Sequence, residues 1–196
     1  MNIMIIGATG TIGNEVRKRI LTETDWEITL LVRNPTKIGK SNAARETIIE
    51  SDVDHFNKNQ LTDIDAVFVA LSGNMPELTK KIVNVLESSE TKRLVQILTM
   101  GIYNEVPAKY LHGGGMSDYV IRYAEAGEII ENSDLDYTII RPAWFDHGDD
   151  EVNVTKKGEM LTGHDVSVTA ISKFVVKALA EPDFAKRQSF GLNRPD

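Results

Sequence analysis

The sequence contains no cysteine, so disulfides, zinc–thiolate centres and thiol catalysis are all excluded. It has no apolar run near the ~20 residues that span a bilayer, and its start, MNIMIIGATG, lacks the basic region of a secretory signal. A cytoplasmic protein without a membrane partner is therefore expected. Basic residues are in deficit as well: 22 Lys and Arg stand against 29 Asp and Glu, a formal net charge of −7. A nucleic-acid or anionic-membrane surface favours clustered Lys and Arg, so neither partner is expected, whereas a small anion needs only a locally positive pocket. Histidine is sparse and scattered, at His55, His112, His147 and His164, without metal-ligand spacing. The acidic stretch DHGDD, residues 146–150, reads as a solvated loop, and no metal is expected. Repeats and low-complexity linkers are missing too.

What is present is an alternation of strand-length apolar runs with helical patterns. A chain of 196 residues suits one substantial domain rather than two. The run IMIIG ends in glycine, and TIGNEVRKRILTET follows with Ile12, Val16 and Ile20 on one helical stripe. EITLLVRN, ETIIESD, DAVFVALSG, RLVQILTMG and LDYTIIRPAWF supply further strands, the last stopped by Pro142. ELTKKIVNVLESS and SDYVIRYAEAGEII read as helices. Apolar strands alternating with helices indicate a doubly wound, mostly parallel sheet with helices on both faces. After Phe145 the pattern weakens to a loop with a short strand or hairpin, a last helix in VTAISKFVVKALAEP, and SFGLN as a terminal edge strand. These last ~50 residues are too few for a second domain. They are expected to extend the substrate side of a single domain spanning residues 1–196.

The first strand ends in GATGTIG, which sets Gly7, Gly10 and Gly13 in a GxxGxxG spacing at the start of a helix. A diphosphate at a helix N-terminus needs free backbone N–H groups and close approach, which side chains at Gly7 and Gly10 would block. Thr9 and Thr11 add hydroxyl donors, Ile12 belongs to the same turn, and Gly13 lets the helix pack closely on the sheet. The context, after an apolar strand and before an amphipathic helix, favours dinucleotide binding over a simple tight turn. The second strand ends in LLVRN, where an acidic residue would suit the ribose of NAD. Arg33 stands there instead, with Lys37 and Lys40 close behind. A guanidinium can grip a 2′-phosphate through two hydrogen bonds, so NADP is the expected cofactor, with NAD possible. Asp52, followed by Val53 after the third strand, either accepts a hydrogen bond from the adenine amino group or serves as a turn residue.

Together GATGTIG, LLVRN, LTMGIY and LDYTIIRP resemble the atypical short-chain dehydrogenases, in the NmrA-like and biliverdin/flavin-reductase-like branch of NAD(P)-binding proteins. The resemblance implies a Rossmann fold with NADP across the C-terminal edge of the sheet. It also implies that Ala70, Leu71 and Ser72 pass along the cofactor and that Pro142 and Ala143 approach the nicotinamide. Extended members pair a Ser or Thr with a Tyr-x-x-x-Lys. Thr99 matches the former and Tyr119 the tyrosine, while Tyr123 occupies the lysine position. A neutral phenol cannot supply the positive charge that would stabilise a tyrosinate. Tyr119 and Tyr123 share one helical face, and packing of that face is as good an account of them as a catalytic role. Arg141 faces either a substrate anion or a structural ion pair. The three glycines of LHGGGMSDY suggest a flexible segment beside the nicotinamide end. The expected function is NAD(P)H-dependent reduction of a small acceptor such as a quinone or flavin. The alternative is a non-catalytic NADP-binding redox sensor of NmrA type with a regulatory protein partner. The expected assembly is a monomer or homodimer.

Overall fold

In the computed structural model, which describes residues 1–110 and 117–195, the N-terminal apolar run becomes the central strand of the sheet. Strand β1 (Asn2–Ile6) leads into helix α1 (Thr11–Glu23), followed by β2 (Glu27–Val32) and β3 (Glu46–Glu50). The chain then returns across β1 to β4 (Ala66–Val69), α2 (Met75–Glu87), β5 (Arg93–Ile97), α3 (Asp118–Glu131) and β6 (Asp136–Pro142). Three short strands come next, β7 (Trp144–Asp146), β8 (Asn153–Lys156) and β9 (Asp165–Ser167), followed by helix α4 (Val168–Ala180). A single turn, α5 (Pro182–Ala185), precedes β10 (Gln188–Asn193).

The main sheet has eight strands in the order β3-β2-β1-β4-β5-β6-β10-β8, parallel except for the β10–β8 pair. The chain thus moves outward from β1 in one direction, then jumps back and moves outward in the other. That reversal leaves a crevice at the carboxyl ends of β1 and β4, where open α/β sheets bind their ligands. Strands β1, β4 and β5 are almost wholly buried because helices cover both faces. On one face α1 and α4 pack over Ile3, Ile5, Phe68 and Val95, with Val16 and Ile20 of the predicted stripe fully buried. On the other, α2 and α3 cover Met4, Val67, Leu94 and Ile139.

The terminal strand departs from expectation. SFGLN is not an edge: β10 lies between β6 and β8, with Phe190 and Leu192 buried. Residues 189–193 are all buried, Phe190 and Leu192 alternating with Ser189, Gly191 and Asn193, whereas the true edge, β8, buries just Thr155. A second difference is the small parallel sheet of β7 and β9, which takes the chain away from the main sheet directly after Pro142.

Arg141 proves to be structural. Its guanidinium is fully buried, ion-paired with buried Glu105, and its Nε donates to Ser189 Oγ at 3.0 Å. It also lies over the Tyr103 ring, 4.9 Å from the centroid. Removing one member of such a pair leaves an uncompensated charge in the core, a loss of about 3–5 kcal/mol. Glu105→Ala should therefore shift urea denaturation by that amount, and pairing it with Arg141→Met should recover much of the loss. A single-variant loss below ~1 kcal/mol would mean that the pair does not hold this end of the sheet.

Candidate functional site

The loop between β1 and α1 shows why its three glycines are not equivalent. Gly7 has φ +101°, a left-handed conformation, and a Cβ there would lie 2.1 Å from the Ala70 carbonyl oxygen. A Cβ on Gly13 would lie 2.1 Å from the Gly7 carbonyl oxygen. Both glycines are required by backbone closeness within the fold. Gly10 is different: a Cβ would meet only the Gly7 oxygen at 3.5 Å, so the protein leaves open space beside it. Gly10 also caps α1, its carbonyl accepting from Asn14 N–H at 2.9 Å, but no side chain caps the helix and its first turn has no acid. The N–H groups of a first helical turn have no intrahelical partner. In α3 and α4, by contrast, Ser117 and Ser167 supply a capping hydroxyl. Thr9 and Thr11 are exposed and do not cap α1.

Two cavities open at this edge, and both are bordered by Leu71 and Ser72, which join them into one groove. The first, about 220 Å³, is lined by Gly7, Thr9, Arg33, Asp52 and Val53 among others. The second, about 660 Å³, is lined by Gly10, Ile12, Ala70, Thr99, Tyr119, Tyr123, Pro142 and Ala143, with further apolar side chains. The structure therefore brings sequence positions from 7 to 143 together, while Thr11, Lys37, Lys40 and Arg141 line neither cavity.

At the first cavity Arg33 is exposed and makes no ion pair among the described residues. Lys37 and Lys40 do not line it, so the positive charge at this wall is that of Arg33. Asp52 serves the turn, accepting the His55 backbone N–H at 3.0 Å, and its carboxylate lies 2.7 Å from His55 Nδ1. That hydrogen bond to the ring, more than any other contact, holds the Asp52 carboxyl below the usual range. Neighbouring Asp54, also on the cavity wall, pairs with Lys81 at 2.5 Å.

The second cavity is electrically quiet. Apart from the phenols of Tyr119 and Tyr123, none of its lining residues among those described carries an ionisable side chain. Tyr119 is 57% exposed and Tyr123 only 4%, with their rings 4.6 Å apart. Burial pushes the Tyr123 phenol well above its ordinary value, and its hydrogen bond with Tyr119 and that phenol's charge add to the effect. Tyr123 thus both packs and borders the cavity, and it stays neutral. Sequence reasoning missed Trp144 and Phe145, which line this cavity while 64% and 50% exposed. The signal was present in two adjacent aromatics just past Pro142, but their exposure follows from the departure of β7 from the main sheet. The expected flexible glycine segment, residues 111–116, lies outside the described residues. The acids of residues 146–150 are taken up locally: Asp146 and Asp149 by Arg194, Asp150 by Lys173. Among the described residues no group of three potential ligands could hold a metal.

The model of a family described as NAD(P)H-binding matches residues 7–182. No curated protein matches the sequence. Solved structures do. A short-chain dehydrogenase/reductase from Veillonella parvula in complex with NADP is 26% identical, with a TM-score of 0.84 over 99% of this chain and 94% of its own. A Rossmann-fold NAD(P)-binding family protein from Shigella flexneri is 25% identical, with a TM-score of 0.84 over 99% and 93%. A candidate NADH-flavin reductase from Streptococcus pneumoniae, 16% identical, shares the fold, with a TM-score of 0.80 over 99% of both chains. Among the described residues no helix is long and apolar enough to cross a membrane.

The unequal glycines yield a stability test. Gly13→Ala must separate α1 from the Gly7 carbonyl, and overpacking of this kind costs about 1–3 kcal/mol. Gly10→Ala replaces one tolerated cap residue by a poorer one in open space, a loss of about 1 kcal/mol or less. Thermal denaturation should rank Gly13→Ala clearly below Gly10→Ala. Equal losses would contradict the close contact.

Proposed function

This chain belongs to the NAD(P)H-binding family, and we propose that it is an NADP-preferring reductase of a small planar acceptor such as a quinone or flavin. The observation that carries the proposal is the 660 Å³ cavity, whose described lining has no ionisable group but two phenols, continuous with a smaller cavity walled by Arg33. The family implies a dinucleotide, and the donor set suits one. Uncapped N–H groups at α1 and the space beside Gly10 suit a diphosphate. Arg33 suits a 2′-phosphate, and Asp52 with Val53 suits the adenine. Ala70, Leu71 and Ser72 border the groove between the two ends, and Pro142 and Ala143 border the proposed nicotinamide end. The NADP bound by the Veillonella parvula relative supports this choice of cofactor.

A reduced nicotinamide supplies a hydride, which is two electrons and one proton equivalent; the second proton that completes a hydroquinone comes from solvent. This division suits the residues. Burial keeps Tyr123 neutral, so it supplies no positive charge to stabilise a Tyr119 phenolate. Tyr119 and Thr99 instead offer hydroxyls for orienting an acceptor, and proximity supplies much of the rate. Acceptors that need a protein acid, such as simple aldehydes and ketones, should react poorly. The last fifty or so residues serve the acceptor side, through β7 and its neighbours. The alternative, a non-catalytic sensor with a protein partner, is favoured by Tyr123 in the lysine position, and it predicts dinucleotide binding without turnover.

NADPH oxidation against quinones, flavins and aldehydes, with calorimetry of NADP and NAD, tests the proposal. Quinones or flavins should be reduced and aldehydes should not; binding with no turnover for any acceptor would favour the sensor. Arg33→Asp should cost NADP roughly ten- to a hundredfold in affinity and favour NAD, since a charge-assisted contact contributes about 1.5–3 kcal/mol. Equal wild-type affinities for the two cofactors would sink the preference. Gly10→Val should keep a native circular-dichroism spectrum and lose dinucleotide binding. Tyr123→Lys should confer aldehyde reduction that a further Tyr119→Phe removes, because the ammonium lowers the phenol pKa.

A further inference from the structure

The second cavity has an aromatic wall that cofactor binding does not require. Trp144 lines it, is 64% exposed, and follows directly on Pro142 and Ala143. With Phe145 and Tyr119, also exposed and lining the same cavity, it forms an aromatic patch, and a contiguous exposed apolar patch marks a binding surface. The indole is also held in place. Its backbone N–H donates to the His164 carbonyl at 3.0 Å, and β7 pairs with β9 in register Trp144 to Asp165. Its ring stacks on the His164 imidazole, centroids 6.3 Å apart and planes 23° from parallel. His164 is fixed in turn by Asp165, Nδ1 to Oδ1 2.8 Å, and by the Tyr110 ring at 5.3 Å. The indole is therefore preordered from one side, with most of its surface still open to solvent. Preordering reduces the entropy a ligand must overcome on binding.

We propose that Trp144 is the stacking face for the acceptor and selects fused planar rings over single rings. The inference rests on the reductase reading for its acceptor, but the stacking face is argued from β7, β9 and His164. Trp144 sits one residue beyond Ala143, so a flat ring lying on it is beside the proposed nicotinamide end. The described wall around it is apolar or aromatic, with Phe145, Met100, Ile97 and Tyr119, and among the described residues it holds no charged group. A naphthoquinone or an isoalloxazine overlaps both rings of an indole, whereas a benzoquinone overlaps half. Stacking of a planar ring on an aromatic side chain is strong enough that its loss weakens binding by about tenfold or more.

The test compares wild type, Trp144→Leu and Trp144→Phe on two measurements. In steady state with NADPH, Trp144→Leu should raise KM for 2-methyl-1,4-naphthoquinone about tenfold, leave kcat within about twofold, and raise KM for 1,4-benzoquinone by only about threefold or less. Trp144→Phe should restore most of the loss. In the second measurement FMN is titrated into protein saturated with NADP⁺, where no turnover occurs. Binding should quench tryptophan fluorescence in the wild type and weaken about tenfold in Trp144→Leu, with NADP⁺ affinity unchanged. Unchanged KM and unchanged FMN affinity in Trp144→Leu would overturn the stacking face while leaving the reductase proposal standing. A wild type that binds FMN through Trp144 but reduces no acceptor would keep the stacking face and remove the reductase proposal. A wild type that neither binds FMN nor reduces the naphthoquinone would overturn both.

Discussion

Three backbone segments meet at the carboxyl edge of the sheet with no room for a side chain between them. The Ala70 carbonyl, at the end of β4, presses on Gly7, and the Gly7 carbonyl presses on Gly13 in α1; a Cβ at either glycine would lie 2.1 Å from an oxygen. The Ala70 N–H donates in turn to the Ile6 carbonyl at 2.9 Å, which extends the β1–β4 pairing into the loop. This contact sets where α1 begins and how it points. The cap position of α1 is Gly10, so no side chain caps the helix, and its first N–H groups, at the crevice opened by the strand reversal, have no intrahelical partner.

The groove divides its labour by charge. One end has an exposed arginine and two carboxylates already engaged, Asp52 by His55 and Asp54 by Lys81. Among the described residues the other end has none, although the chain as a whole is acidic. Local pairing explains the contrast: the acids that follow β7 are held by Arg194 and Lys173, and Glu105 is consumed by Arg141 beneath the sheet. An uncharged cavity beside a charged one suits chemistry in which the cofactor is gripped through its phosphates and the acceptor through its shape.

The two tyrosines show how one helical face can answer two demands. Tyr123 is sunk into the core beside α2 and β5, so its hydroxyl loses water and its proton becomes harder to remove. Tyr119, one turn earlier, leans on it and stays open to solvent. Packing and cavity lining are not alternatives here, because the helix that covers one face of the sheet also forms the cavity wall.

Much of this protein was legible in its residues. Apolar runs of strand length, the stripe of Ile12, Val16 and Ile20, and glycines at positions 7, 10 and 13 determine a doubly wound sheet with a binding loop at its first turn, because backbone periodicity and left-handed φ are local properties of sequence. Arg33 and the missing lysine could be read in the same way. What only the tertiary structure decided is which residues face each other. Gly7 and Gly10 look alike in sequence, yet one is fixed by Ala70 and the other is left open. SFGLN became interior because β8, weakly patterned and nearly a hundred and fifty residues from β1, covers its edge. Trp144 and Phe145 became exposed because Pro142 ends β6 and β7 pairs elsewhere. Burial is a sum over distant neighbours, and no local pattern along the chain encodes it.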